Sequence, residues 1–180
     1  MKKEIFNEIE IPEGVEANID ENLISVKGKE GVLEKKFNID KLTFEKKEKK
    51  IVIGNKKSTK KEKKMINTIT AHIQNMIKGV QEKFEYKLKI ASSHFPISVE
   101  LKEKNATIKN FLGEKIPRNV NILNDVEVKI DRDIITIKSN DRELAGQTAA
   151  NFEKATRIKM KDRRIFQDGI FITNKAGRKI

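Results

Sequence analysis

Five positions near the start of this chain, Val15, Ala17, Ile19, Val26 and Gly31, return 82 positions later as Ile97, Val99, Leu101, Ile108 and Gly113. A second set, Met65, Ile66, Ile69, Ile73 and Met76, returns 79 positions later as Leu144, Ala145, Thr148, Phe152 and Ala155. Residues two apart share one face of an extended strand, and the spacing of the second set (i, i+1, i+4, i+8, i+11) marks one face of a helix. This duplication constrains the fold before any motif does. Each half must bury strands under one helix, and whatever differs between the halves is where function has room to reside.

Turn signals complete the pattern. In the first half, residues 15–19 and 23–27 flank Asp20-Glu21-Asn22 as a hairpin, and Gly28-Lys29-Glu30-Gly31 turns the chain into a strand at 32–39. A short strand at 51–54 precedes a helix at about 61–80, which Ser58 or Thr59 would cap and Gly79 would weaken at its end. Phe84, Tyr86, Leu88 and Ile90 alternate as a strand does, so residues 81–93 belong to the second sheet and are no flexible linker. The second half continues with strands at 97–101, 106–111, 126–130 and 134–138, a tight turn at Asp131-Arg132-Asp133, and a helix at about 141–157. The expected architecture is α+β: two tandem duplicated domains, 1–82 and 83–180, each a small, mostly antiparallel sheet covered by one helix.

The chain is 180 residues long, enough for two small domains with little core to spare, since hydrophobic and charged residues each make up 37 %. Its 39 Lys and Arg against 27 Asp and Glu leave a net charge of +12, which a polyanionic partner would compensate. Cysteine is absent, which removes disulfides, thiol catalysis and Cys-ligated zinc. No signal peptide or membrane-length apolar run occurs, so a soluble, intracellular chain with no membrane partner is expected, and its basic charge points to nucleic acid.

Little in the sequence suggests catalysis. Gly28-Lys29-Glu30-Gly31 lacks P-loop spacing and lies between strands. Asp131 and Asp133 could hold Mg²⁺ in a nuclease, but turn chemistry explains them and no further acid stands nearby. His72 and His94 have no paired spacing. The expectation is no enzyme, with no catalytic residue, metal site or cofactor.

Two basic tracts remain. Residues 41–64 carry a net +8, all from lysine, and could be a solvated face or a contact. Residues 154–180 carry +7 and have no counterpart in the first half. This second tract mixes Arg with Phe166, Gln167 and Asn174, and an Arg fork binds phosphate bidentately where Lys does not. Gly169 and Gly177 would let backbone lie close to a sugar-phosphate chain, with Ile165, Phe166, Ile170, Phe171 and Ile172 as apolar anchors. Read as an extended segment, Arg163 and Arg164 point to opposite sides: Arg163 outward to the nucleic acid, Arg164 inward toward Asp168 or a nearby carbonyl.

Several runs resemble the archaeal and eukaryotic branch of the large-subunit ribosomal protein six family. They are Ile9-Glu10-Ile11-Pro12-Glu13-Gly14-Val15, Val26-Lys27-Gly28, Ala71-His72-Ile73-Gln74-Asn75-Met76-Ile77, Phe84-Glu85-Tyr86-Lys87-Leu88-Lys89, Ser93-His94-Phe95-Pro96 and Asn110-Phe111-Leu112-Gly113-Glu114-Lys115. Most specific is Ile158-x-x-Lys161-x-x-Arg164-x-Phe166-x-Asp168-Gly169-Ile170-Phe171-Ile172-x-x-Lys175. Lys154 stands where the family usually has Gln, and Asn67 and Lys83 where it has Gly, which leaves the helix start and the inter-domain turn open.

The resemblance implies a structural constituent of the large ribosomal subunit, in the cytoplasm. Its C-terminal domain would bind large-subunit rRNA near the sarcin-ricin loop, with neighbouring large-subunit proteins and GTPase translation factors close by. The candidate RNA-binding residues are Lys115, Arg118, Lys154, Arg157, Lys159, Lys161, Arg163, Arg164, Gln167, Lys175, Arg178 and Lys179. A stand-alone RNA chaperone or regulatory RNA-binding protein is the alternative.

Overall fold

A computed structural model describes residues 3–20, 22–38, 42–47 and 49–180. Outside it fall Glu21 of the first expected turn, Ile39 of the expected 32–39 strand, and Lys41 and Glu48 of the lysine tract. The chain divides into two compact units, Met1–Lys83 and Phe84–Ile180.

The first unit contains β1 (Lys3–Glu10), β2 (Glu16–Asp20), β3 (Leu23–Gly28), β4 (Gly31–Lys36), β5 (Thr43–Lys47), β6 (Lys50–Ser58) and α1 (Lys60–Gln81). Two antiparallel three-stranded sheets form, in the orders β1-β6-β5 and β2-β3-β4. The helix covers both. Alternation places Ala17, Ile24, Val26, Ile51 and Ile53 inward, where they meet Ile66, Ile69, Ile73 and Val80 of α1.

Thr59 caps α1, its Oγ1 accepting from Lys61 N while Glu62 Oε2 accepts from Thr59 N at 2.7 Å; Ser58 plays no such part. Asn67 lies inside the helix, its Oδ1 accepting from Asn7 Nδ2, so it does not mark the helix start. Lys83 pairs with Glu30 at 3.8 Å. Strands β1 and β5 were not among the expected elements, and lysine and glutamate at alternate positions explain why. They dilute an alternation that Ile5 and Ile9, or Leu42 and Phe44, still carry.

The second unit contains β7 (Phe84–Ala91), β8 (Ser98–Lys102), β9 (Asn105–Lys109), β10 (Arg118–Asn121), β11 (Glu127–Asp131), β12 (Ile134–Ser139), α2 (Arg142–Ala155), β13 (Gly169–Lys175) and β14 (Arg178–Lys179). The order β7-β12-β11 repeats β1-β6-β5, and β8-β9-β10 repeats β2-β3-β4. The fold is thus a duplicated α+β fold. The expected 106–111 strand stops at Lys109, because Asn110 (φ 60°) and Leu112 (φ 51°) take left-handed backbone and break the ladder.

The departure from symmetry is at one edge. Strand β13 pairs antiparallel with β7, on the side away from β12, and β14 folds back on β13. Among the described residues the corresponding edge of β1 has no neighbour. The C-terminal tract is therefore built into the second sheet, with Ile170 wholly buried in the core.

Candidate nucleic-acid interface

Between the end of α2 and the start of β13 the chain makes an excursion over residues 156–168, and three contacts fix its ends. Thr156 terminates α2; its hydroxyl donates to the carbonyls of Phe152 and Glu153, both at 3.4 Å, and accepts from Ile170 N at 2.9 Å. Asp168, only 3 % exposed, accepts through Oδ1 from Ser93 N at 2.8 Å and from Ser93 Oγ at 2.6 Å. Arg118, on β10, donates through Nη1 to the Ala155 carbonyl at 2.6 Å, holding the last turn of α2 with a cation at the negative end of its dipole.

The rest of the Arg118 fork engages Glu114, with Nε at 2.8 Å from Oε2 and Nη2 at 2.5 Å from Oε1, and its plane lies 4.4 Å from the centre of the Phe111 ring. The hydrogen bond from Arg118 holds the Glu114 carboxyl below its ordinary pKa. Arg118 thus spends its donors inside the fold.

Within the excursion, Asp162 organises the turn. Its carboxylate accepts from Arg164 N at 2.9 Å and from the Arg164 guanidinium at 2.8 Å, and its carbonyl accepts from Phe166 N at 2.9 Å. The bonds from Arg164 depress the Asp162 pKa and raise that of Arg164. The segment is a turn, not a strand, so the parity argument for Arg163 and Arg164 does not hold. Arg164 is 91 % exposed and pairs with Asp162, while Asp168 belongs to Ser93.

Three of the expected anchors are exposed: Ile165 (74 %), Phe166 (37 %) and Phe171 (44 %). Ile170 does the anchoring, with Ile172 packed against the same core. Gly169 is buried beneath the Phe171 ring, where an added Cβ would lie 3.0 Å from a ring carbon. Its glycine serves that close packing, and Gly177 (φ +89°) serves the β13–β14 turn.

The excursion and the end of α2 enclose a cleft of about 430 Å³, lined among others by Lys154, Arg157, Arg163, Gln167, Phe166 and Phe171. None of its three cations has an ion-pair partner among the described residues. Lys161 stands 4.7 Å over the Phe166 ring, and Lys159 is exposed on the same excursion. The far end of β13 carries the other group: Lys175 and Arg178 pair across the hairpin beside Lys179, six residues from Gly169 and roughly 20 Å along the strand. Lys115 is exposed in the connection before β10. The candidate residues therefore fall into a cleft group, a hairpin group and the α2-bracing Arg118.

The lysine tract is partly engaged elsewhere. Lys46 donates to the Ala17 carbonyl at 2.7 Å, and Lys50 pairs with Glu8 at 3.0 Å. Lys56, Lys57, Lys60, Lys61, Lys63 and Lys64 are exposed. Asp131 and Asp133 flank a hairpin turn in which Arg132 has φ 50°, and no group of three or more possible metal ligands occurs among the described residues. No helix among them is long and apolar enough to cross a membrane.

Two similar sheet-and-helix units, the second carrying a basic cleft lined by Phe166 and Phe171, define a duplicated α+β protein of basic surface. The chain belongs to the ribosomal protein L6 family, whose profile matches it twice, over residues 11–83 and 95–169. It is 43 % identical to the large ribosomal subunit protein uL6 of Methanosarcina mazei, over 98 % of this chain and 100 % of that one. Identity to the uL6 of Methanothrix thermoacetophila is 41 %, over 97 % and 99 % of the two chains, and to that of Methanobrevibacter smithii 43 %, over 95 % and 96 %. The membership is on the archaeal side. The second match ends at Gly169, so the β13–β14 hairpin beyond it lies outside both repeats.

Proposed function

We propose that this chain is a non-catalytic, rRNA-binding structural constituent of the large ribosomal subunit, working in the cytoplasm, with its principal RNA surface on the second unit. The observation that carries the reading is the +7 segment. It has no counterpart in the first unit, and it is held as a shaped surface by Ser93–Asp168 and Thr156–Ile170. Relatives that match over nearly their whole length bear the name of a large-subunit protein. Lys154, Arg157, Lys159, Lys161, Arg163, Arg164 and Gln167 form one contact region, and Lys115, Lys175, Arg178 and Lys179 extend it. Arg118 acts through the α2 end that it braces.

Family resemblance supports the finer placement near the sarcin-ricin loop, beside other large-subunit proteins and the docking region of GTPase translation factors. The test is sedimentation of tagged protein with fractionated subunits through a high-salt wash, followed by chemical footprinting of the rRNA. Retention on the large subunit with protection at that loop is expected. Release by salt, with binding to unrelated RNAs, would favour the free chaperone.

A further inference from the structure

We propose that the cleft of the second unit receives a single unstacked nucleobase, seated against Phe166 and Phe171, with the phosphates on either side of it held by Lys154, Arg157 and Arg163. The proposal rests on the reading of this unit as an RNA-binding surface and specifies what part of the RNA enters it.

Three observations carry it. The chain has nine Phe and one Tyr, and two of those ten rings line this one cleft at 37 % and 44 % exposure. Leaving this ring surface in water is unfavourable, and beyond the support that Phe166 gives Lys161 a surface meant only for phosphates needs no rings. Three cations lining the same cleft as two rings match what an unpaired nucleotide presents: a charged backbone on both sides of a flat π surface.

The cleft is also preformed. Its rim is fixed by the buried Asp168 and by Thr156, and Gly169 seats the Phe171 ring against the backbone. A volume of about 430 Å³ lies within the ~300–1,000 Å³ range of small-ligand sites. Finally, the cleft has edge-reading groups. The Gln167 Nε2 donates to the Arg164 carbonyl at 3.1 Å, which orients the amide and leaves Oε1 as an acceptor, and Glu153 lines the cleft with another. Two acceptors suit a base bearing an exocyclic amino group, adenine among them.

The test uses the full-length chain and two short RNA duplexes that differ only in one centrally bulged adenosine, with affinity measured by fluorescence anisotropy over a salt series. The bulged RNA should bind about tenfold more tightly than the paired one. Phe166→Leu, outside the strands, and Phe171→Leu should each abolish that preference, while paired-duplex affinity, salt slope and melting temperature stay near wild type. The proposal is overturned if the wild-type chain shows no preference, if the preference survives both Leu variants, or if well-folded Leu variants lose both RNAs equally. Absence of any salt-dependent binding to either RNA would instead overturn the broader RNA-binding reading.

Discussion

Ser93 and Asp168, 75 residues apart, meet at the paired ends of β7 and β13, where one buried carboxylate oxygen accepts from both the backbone N–H and the hydroxyl of the serine. This pair closes the excursion that forms the cleft. Asp168→Ala strands the Ser93 N–H and should cost about 1–3 kcal/mol. Asp168→Asn keeps an acceptor and should cost less. Urea denaturation of both variants checks it; equal losses would mean that the charge, and not the acceptor, matters.

Thr148 occupies the place on α2 that Ile69 occupies on α1, wholly buried, with its hydroxyl unpartnered. Thr148→Val removes the stranded hydroxyl at nearly constant volume. It should stabilise the second unit by about 1 kcal/mol, read as a raised denaturation midpoint at unchanged slope.

Ile73 and Phe152 are equivalent core residues of separate clusters, both fully buried. Ile73→Ala and Phe152→Ala should each cost about 2–5 kcal/mol. Hydrogen exchange should rise mainly in the unit that carries the mutation. A uniform rise across both units after either change would show one cooperative core.

Arg163 lines the cleft, whereas Arg164 is exposed on the turn and held by Asp162. Arg163→Ala should weaken rRNA-fragment binding by about 1–3 kcal/mol. Arg164→Ala should leave the melting temperature unchanged, since exposed pairs contribute little. If about six phosphates are neutralised, log K against log salt should slope about −4 to −5. Charge substitutions are the right probe of that slope. A fragment ending near Lys154 would strip β13 from the sheet and uncover Ile170, so its lost binding would be confounded with unfolding.

The Arg118 bond lowers the Glu114 pKa from its ordinary 4.5. A depressed carboxylate stabilises the fold fully above its unfolded pKa, and that contribution is lost as pH falls through the folded value. Stability of the second unit should therefore drop below about pH 4.5, and Glu114→Gln should make the melting temperature less sensitive to acid there. An unchanged acid profile in Glu114→Gln would assign the drop to other carboxylates.

The duplication, both helices and most strands were legible in the sequence because they are periodic over a few residues, and a local period survives whatever the rest of the chain does. Ile66, Ile69 and Ile73 mark a helix face wherever α1 packs, and Asp131-Arg132-Asp133 turns by its own chemistry. The basic excess of residues 154–180 was equally plain. What that segment becomes was decided by contacts between residues far apart. The open edge of β7 captured β13, Ser93 held Asp168, and Arg118 braced the end of α2. Those contacts bent residues 156–168 into a turn, which undid the extended-strand parity of Arg163 and Arg164 and exposed Phe166, while pairing of β13 with β7 buried Ile170 and turned Phe171 outward. Side-chain direction in an irregular segment depends on its partners and not on its spacing, so only the tertiary structure could place the cleft.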